Sequence, residues 1–383
     1  MRIAIVYDCL FPNTIGGAER WYRNLAEGLS ERHEVTYLTR RQWEGGGPEA
    51  AFETIAVSAG GELYTRSGRR RIGAPLRFGW GVFWHLLRNA NRYDAIHTAS
   101  FPYFSVLGAA AALWLRRSPA LLVVDWHELW TPEYWRAYLG PLGGRVGAAI
   151  QALCVRLPDR SFTFSQMVTW RLQDWGHSAP MVRLTGEYAG PKPLARDTTV
   201  ESSGPPLVAF AARHIPEKHA LDVPLAIEAA RREIPDLLCV ILGEGPQTET
   251  VRHEVRRLGL EDVIDVPGRV SSEQVASTIA KASCLLHPSE REGYGLVVVE
   301  AIARGTPAIV VEGPENAATE LVTPGINGFM AGSRNPDELA RWIVATVREG
   351  EPLRLSTGDW YERHREGLSI ASSLELIAAS YDQ

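Results

Sequence analysis

The stretch Glu292-Gly-Tyr-Gly-Leu-Val-Val-Val-Glu300 says more about the fold than any other part of this chain. Its two end carboxylates enclose a glycine-rich turn and an apolar run. The preceding segment, 281–287, predicts a strand that ends in a loop, and the apolar run predicts a helix that ends at Gly305. Residues 293–296 would then lie at a helix N-terminus, where free N–H groups and the helix dipole favour an anion. A polyhydroxylated anion such as a sugar nucleotide suits these amides and the two carboxylates.

Segments typical of strands and helices alternate on both sides of this stretch, a rhythm that favours parallel α/β sheets. Helices are predicted at Ala18–Ser30, Asp222–Glu233 and Ser369–Tyr381. The predicted strands are Arg2–Tyr7, Glu34–Leu38, Ala95–Thr98, Leu121–Val124, Ser161–Phe164, Leu207–Ala211, Leu238–Leu242, Val263–Val266, Cys284–Leu286 and Ala308–Val311.

A segment rich in glycine, proline and serine, residues 191–206, interrupts the alternation and predicts a linker. We therefore predict two doubly wound, Rossmann-like domains that face one another across a cleft, residues 1–190 and 207–358. A closing helical segment, 359–383, follows them. Ligands in such sheets bind beyond the carboxyl ends of the strands, where all the motifs described below fall.

The composition is that of an ordinary globular protein, with 45% hydrophobic and 22% charged residues among 383. Four scattered cysteines indicate neither a disulfide framework nor a zinc site, which favours a reducing compartment. The first residues predict a strand rather than a signal peptide, and no apolar run reaches the ~20 residues that span a bilayer. We expect a cytoplasmic protein.

The charge is uneven along the chain. Residues 1–190 carry 21 Lys and Arg against 16 Asp and Glu, whereas residues 191–383 carry 19 against 29. A basic N-terminal half favours binding of an anionic substrate or of a membrane surface. The alternative is that the two domains differ in charge without any functional reason. Neither a basic stripe nor a known reader motif is present, so we expect no nucleic-acid partner.

The segment Arg213-His-Ile-Pro-Glu-Lys218 follows the first predicted strand of the second domain. Arginine offers paired planar donors and lysine a compact charge, so Arg213 and Lys218 together would suit a diphosphate. The alternative is a solvated loop with two chance cations.

Weaker signals follow other predicted strands. Gly243 and Val270 lie in loops where backbone would approach a ligand, although tight turns explain both. Gly16 and Gly17 would start the first helix close to a phosphate or a substrate ring. His127 would either hydrogen-bond a sugar hydroxyl or have a purely structural role. The tryptophans that flank it are interpreted as core residues.

Several motifs are absent. The chain has no Asp-x-Asp, no P-loop, no Gly-x-Ser-x-Gly and no His-Glu-x-x-His sequence. It also lacks a dinucleotide fingerprint, which argues against a dehydrogenase. We therefore expect no bound metal and no cofactor other than the donor substrate.

Taken together, these motifs and Pro324-Gly-Ile-Asn-Gly-Phe resemble the family-4 retaining glycosyltransferases, which have the GT-B fold. The resemblance is strongest over 207–330. It implies transfer of a sugar from a nucleotide-diphosphate sugar to an acceptor, without a metal and with retention at the anomeric carbon. It also implies a C-terminal segment that crosses back to the first domain. The alternatives are a nucleotide-sugar epimerase on the same fold and an inactive sugar-nucleotide-binding partner subunit.

The resemblance also assigns roles. Arg213 and Lys218 would hold the diphosphate, Glu292 would hold the donor sugar, and His127 would meet the transferred sugar; these four are the candidate catalytic residues. The remaining donor-binding candidates are Gly16, Gly17, Gly243, Val270, Gly293, Tyr294, Gly295, Leu296 and Glu300. The chain departs from the family pattern at His219, where glycine is common, and in the loop Gly313–Thr319.

The stretch 66–84 combines arginines with aromatic residues, including Trp80, Phe83 and Trp84. It belongs to the domain that binds the acceptor in this family. One interpretation is peripheral contact with an anionic membrane at its inner face, which would suit a lipid-linked or cell-envelope acceptor. The other is an ordinary helix on the sheet preceded by a basic loop, with a sugar or small-molecule acceptor.

Overall fold

The computed structural model of the chain describes residues 1–14, 16–45, 50–61, 72–190 and 204–381. These residues form two compact units. The first unit holds the described residues up to Glu187 together with the C-terminal helix, and the second holds Tyr188–Ser369 within its described part. Each unit contains one parallel sheet with helices, so the predicted α/β fold class is confirmed.

The first unit is built on a seven-stranded parallel sheet. Its strands are β1 (Arg2–Val6), β2 (Glu34–Arg40), β3 (Glu53–Ser58), β4 (Ala95–Ala99), β5 (Leu121–Trp126), β6 (Arg160–Thr163) and β7 (Met181–Arg183), in the order β3-β2-β1-β4-β5-β6-β7. Its helices are α1 (Gly17–Ser30), α2 (Gly73–Asn89), α3 (Phe104–Arg116), α4 (Pro132–Val155) and α5 (Gln166–Asp174). Helix α4 is broken at Gly140, directly before Pro141.

The helices of this unit are divided between the two faces of the sheet. Crossovers between parallel strands are right-handed, so α1, which leads from β1 to β2, lies opposite α2, α3, α4 and α5. Those four helices share one core cluster with the sheet, to which they contribute residues such as Phe78, Val106, Trp135 and Val168.

The second unit is built on a six-stranded parallel sheet. Its strands are β8 (Leu207–Ala211), β9 (Leu238–Leu242), β10 (Ile264–Gly268), β11 (Cys284–His287), β12 (Ala308–Val311) and β13 (Gly328–Ala331), in the order β10-β9-β8-β11-β12-β13. The helices are α6 (Asp222–Ala230), α7 (Thr248–Arg257), α8 (Ser272–Lys281), α9 (Leu296–Ile302) and α10 (Pro336–Leu368, broken at Gly350). The last helix, α11 (Ile370–Tyr381), packs on α1 of the first unit.

All ten predicted strands are present, with ends that shift by at most two residues. Strands β3, β7 and β13 were not predicted. The greater part of the predicted linker, residues 191–203, lies outside the described residues, as do residues 66–71 of the basic-aromatic stretch. No helix in the described part of the chain is both long and apolar enough to cross a membrane.

The strand order reverses once in each sheet. In the first sheet the reversal lies between β1 and β4, and in the second it lies between β8 and β11. Loops that leave neighbouring strands in opposite directions open a crevice at such a point, which is where doubly wound sheets bind ligands.

Candidate functional site

Lys218 and Glu292 meet at the reversal point of the second sheet. Lys218 lies in the loop after β8, and Glu292 lies in the loop after β11. The two loops are joined by a backbone hydrogen bond in which the N–H of Glu290 donates to the carbonyl of Glu217 at 2.9 Å. Lys218 Nζ then donates to Glu292 Oε1 at 2.5 Å. The structure thus brings together two of the predicted site residues that are 74 positions apart.

A second side chain, His287, holds the same carboxylate. Its Nε2 donates to Glu292 Oε1 at 2.6 Å from the end of β11. Burial alone would raise the pKa of Glu292, but Lys218 and His287 outweigh that effect and hold its pKa well below the ordinary value. Glu292 is therefore a carboxylate whose position is fixed by two donors, one in the loop after β8 and one at the end of β11.

The backbone of Glu292 is fixed as well, by the loop that departs from the family pattern. Its N–H donates to the carbonyl of Glu315 at 3.0 Å, and its carbonyl accepts from the N–H of Ala317 at 2.9 Å. Between them, the buried Asn316 donates from Nδ2 to the carbonyl of Val311 at 2.8 Å. This atypical loop therefore anchors the candidate catalytic residue.

The rest of the motif folds as a turn and a helix, as predicted. Gly295 caps α9 with φ +102°, and a Cβ at this position would lie 2.7 Å from the Cβ of Ala318. Glycine is therefore required here by both the backbone and the packing. Tyr294 is buried, and Glu300 is half-buried in α9, like Gly293 and Leu296 beside the turn.

The other candidates of the second unit follow the ends of three neighbouring strands. Arg213 is exposed after β8, and Val270 is half-buried after β10. Gly243 follows β9 with φ +118°, and a Cβ there would lie 1.9 Å from the carbonyl oxygen of Ala212. The requirement for glycine at 243 thus has a structural cause, and its predicted role toward the donor stays a prediction.

In the first unit, the paired glycines begin α1 after β1. Gly16 is the N-cap residue, and an added Cβ would meet the carboxylate of Glu19. At Gly17 an added Cβ would meet no atom of the described protein within 4 Å. The packing of the chain therefore does not explain a glycine at position 17.

His127 follows β5, and its Nε2 lies 3.6 Å from Glu187 Oε1, beyond hydrogen-bond distance. Its ring stacks on Phe164 with centroids 3.8 Å apart, and its side chain is 19% exposed. Burial lowers the pKa of His127 to about 4, so the ring is neutral at neutral pH. Among the described residues its Nε2 has no hydrogen-bond partner. The flanking Trp126 and Trp130 are core residues rather than an acceptor surface.

Sequence reasoning missed a buried polar network beneath His127. His97 Nε2 donates to Asp125 Oδ1 at 2.7 Å, and Trp21 Nε1 donates to Asp125 Oδ2 at 2.9 Å. Because Nε2 of His97 carries the proton, its Nδ1 accepts from the hydroxyl of Tyr381 at 2.7 Å. Burial alone would raise the pKa of Asp125, but the neighbouring His97 outweighs it and lowers that pKa. His97 lies in the middle of β4, and no local spacing rule indicated that it would meet Asp125.

Two doubly wound parallel sheets, each with candidate ligand loops at its reversal point, define the GT-B class of glycosyltransferases. Comparisons with known proteins agree. Residues 15–184 match the profile of Glycosyltransferase Family 4, and residues 192–357 match that of Glycosyl transferases group 1. The chain belongs to the family-4 glycosyltransferases with the GT-B fold.

One relative is a GDP-mannose-dependent alpha-mannosyltransferase of Corynebacterium glutamicum, 27% identical over 364 residues, which are 92% of this chain and 82% of that enzyme. Among solved structures, sucrose-phosphate synthase from Thermosynechococcus elongatus has a TM-score of 0.81 at 20% identity, covering 100% of this chain and 98% of that one. The Anabaena protein HepE in complex with UDP-glucose has a TM-score of 0.72 at 19% identity, covering 100% and 99%. Each of these two solved structures is similar to this chain in fold.

Proposed function

We propose that this glycosyltransferase moves a sugar from a nucleotide-diphosphate sugar to an acceptor, with retention at the anomeric carbon. The observation that carries the proposal is the contact between Lys218 and Glu292 at the reversal point of the second sheet. The Corynebacterium relative is named for its use of GDP-mannose, and the Anabaena structure holds UDP-glucose. Both are nucleotide-diphosphate sugars, and they differ in base and sugar.

The lysine and the glutamate have complementary tasks in this proposal. Lys218, with Arg213, would hold the diphosphate and stabilise its charge as it leaves. The charge of Lys218 is neutralised by Glu292. When the donor binds, its phosphate oxygens compete for the ammonium group, and Glu292 becomes available to a hydroxyl of the sugar. His287 would keep the carboxylate in place during this exchange.

The remaining candidates complete the donor site. Glu300 would accept from the ribose hydroxyls, and Val270 would meet the base through its backbone. Gly17 would allow the diphosphate to approach α1. The neutral ring of His127, whose Nε2 makes no hydrogen bond within the described residues, would hydrogen-bond a hydroxyl of the transferred sugar.

The proposed chemical step is an attack on the same face from which the phosphate leaves. The bond between the anomeric carbon and the phosphate oxygen breaks, and a bond to the acceptor oxygen forms on that face. The departing phosphate takes the proton of the acceptor hydroxyl. The protein contributes positioning and charge stabilisation, and we expect no metal requirement and a cytoplasmic location.

A two-stage experiment tests the proposal. A thermal-shift panel of nucleoside diphosphates and their sugars first identifies the donor, because a ligand at 100-fold above its dissociation constant adds about 2.7 kcal/mol of stability. The donor is then incubated with mono- and disaccharides and with lipid-linked glycans, in buffer with EDTA. The anomeric configuration of the product is read by NMR.

We expect a product with the configuration of the donor, formed in the presence of EDTA. An inverted product would exclude the same-face mechanism. Interconversion of donor sugars without an acceptor would indicate an epimerase instead. Nucleotide binding without turnover across all acceptors would indicate an inactive binding subunit.

A further inference from the structure

The outward side of α2 is apolar. Every fourth residue from Ile72 onward is exposed, namely Ile72 (57%), Leu76 (46%), Trp80 (62%) and Trp84 (36%). The opposite side of the same helix packs into the core through residues such as Phe78. A surface helix normally has charged residues on the side that faces solvent. Helix α2 instead has apolar residues both on that side and on the side that packs into the core.

The neighbouring helices repeat this feature. Trp114 and Leu115 are exposed at the end of α3 by 76% and 53%, and Leu142 and Val146 are exposed on α4 by 77% and 60%. Helices α2, α3 and α4 lie on the same side of the first sheet and share one core cluster, so their exposed sides point away from the same face. We call the eight residues just named, seven on these three helices and Ile72 directly before α2, the outer apolar face.

The opposite side of the same sheet lacks such a surface. Helix α1 exposes no large apolar residue in the described part of the chain, and it carries the acidic residues Glu19 and Glu27. Helix α11, which packs on α1, exposes Leu376. The outer apolar face is therefore a property of one side of this unit rather than of its whole surface.

The charge around the outer apolar face is positive. Helices α2 and α3 contain no aspartate or glutamate, and α4 contains Glu133 alone. Arginines lie among the apolar residues, and the guanidinium of Arg88 stacks over the ring of Trp84 at 4.8 Å. In the sequence, three more arginines, 69–71, directly precede Ile72; they lie outside the described residues.

We propose that the outer apolar face lies on the surface of an anionic lipid bilayer. Tryptophan and arginine are suited to the interface, where a ring or an aliphatic stem is buried among acyl chains while the polar group stays near the phosphates. Apolar residues spread over three helices suit a sheet-like partner better than a single peptide. The near-absence of acidic residues on these helices removes the repulsion that anionic headgroups would otherwise meet.

This inference goes beyond the proposed function, because it concerns a surface and does not depend on the donor or on turnover. It agrees with the hypothesis drawn from residues 66–84 and extends it to α3 and α4. It would also bring the acceptor side of the enzyme next to a lipid-linked glycan.

The test is flotation of the full chain with vesicles, without substrate. Vesicles of phosphatidylcholine alone are compared with vesicles that contain 30% phosphatidylglycerol, at ~0.05 M and ~0.5 M salt. The variants are Trp80→Ser/Trp84→Ser on α2 and Leu142→Ser/Val146→Ser on α4. Leu376→Ser, at an exposed leucine on α11, is the matched control. Thermal melting checks the fold of each, and gel filtration with light scattering gives its oligomeric state.

We expect the wild type and Leu376→Ser to float with the anionic vesicles at low salt, with weaker binding to neutral vesicles and at high salt. Each double variant should lower the partition coefficient at least tenfold while it melts like the wild type. Wild-type protein that stays with the unbound fraction would overturn the proposal, as would folded double variants that bind undiminished. A wild-type dimer that both double variants dissociate, with no vesicle binding, would assign the face to a second copy of the chain.

Discussion

At the scale of single residues, the contact between Lys218 and Glu292 has both a structural and a chemical role. Lys218 is one of three lysines in the chain, and its ammonium reaches a carboxylate that is 12% exposed. Removal of one member of such a pair leaves the other charge poorly solvated. The loss of stability and the loss of chemistry must therefore be measured separately.

We predict that Lys218→Met lowers the rate of sugar transfer by about 10²–10³, because one preorganised donor to the leaving diphosphate is lost. It should also lower the free energy of unfolding by about 1–3 kcal/mol, because Glu292 then keeps, within the described part of the chain, His287 as its one side-chain donor. Transfer is measured with the donor identified by the panel, and stability by urea unfolding.

Two comparisons separate these effects. Lys281→Met, at an exposed lysine at the end of α8, should leave rate and stability unchanged. The double variant Lys218→Met/Glu292→Gln should regain stability relative to Lys218→Met, because the buried negative charge is gone, yet stay inactive. Full transfer activity in Lys218→Met would show that this lysine does not hold the diphosphate.

At the scale of elements, glycines at two helix starts make a contrast that the structure explains. Gly295 before α9 has a backbone and a neighbour, Ala318, that exclude a side chain. Gly17 in α1 has neither constraint. The first is therefore required for folding, whereas the second has a use only if a ligand comes close.

We predict that Gly295→Ala lowers the free energy of unfolding by about 1–3 kcal/mol, because φ stays positive and the new methyl group meets Ala318. Gly17→Ala should keep or raise stability, since alanine is the better helix residue by about 0.5–1 kcal/mol. It should nevertheless raise the Michaelis constant for the donor at least tenfold. An unchanged Michaelis constant in Gly17→Ala would show that the donor does not approach α1 there.

The strands that the sequence did not reveal are the weakest ones. Strand β7 has three residues and β13 begins at a glycine, so neither offers the apolar run that predicts a buried strand. Strand β3 is at the edge of its sheet and is at most half-buried, which removes the contrast between its two sides. The buried central strands, such as β1 and β8, had that contrast and were predicted within a residue.

The site was predictable in its members but not in its contacts. Spacing alone indicated that Lys218 and Glu292 follow strand ends, and neighbouring parallel strands brought them together. No spacing rule indicated that His287 would share the carboxylate, or that Asn316 would fix its backbone. Such contacts depend on how two loops pack, which a single sequence does not encode in any local pattern.

At the scale of the whole molecule, the C-terminal helix returns to the first unit. Helix α11 belongs to the first unit although it follows the entire second unit in sequence. Its Tyr381 reaches His97, 284 residues away, and thereby extends the network of Asp125 and Trp21. A second hydrogen bond joins α11 to the rest of the first unit, because the hydroxyl of Ser373 accepts from the N–H of Gly186 at 3.2 Å. The first unit therefore combines residues from both ends of the described chain.

We therefore expect the stability of the first unit to depend on the hydroxyl of Tyr381. We predict that Tyr381→Phe lowers its free energy of unfolding by about 1–3 kcal/mol, because the buried Nδ1 of His97 loses its donor while the ring packing is kept. Leu376→Ala, at an exposed position of the same helix, should change stability by less than about 0.5 kcal/mol. Urea unfolding followed by hydrogen exchange at β4 and β5 measures both. If Tyr381→Phe were as stable as the wild type, the hydroxyl would not support His97, and α11 would be held by its other contacts, such as its packing on α1 and the hydrogen bond of Ser373.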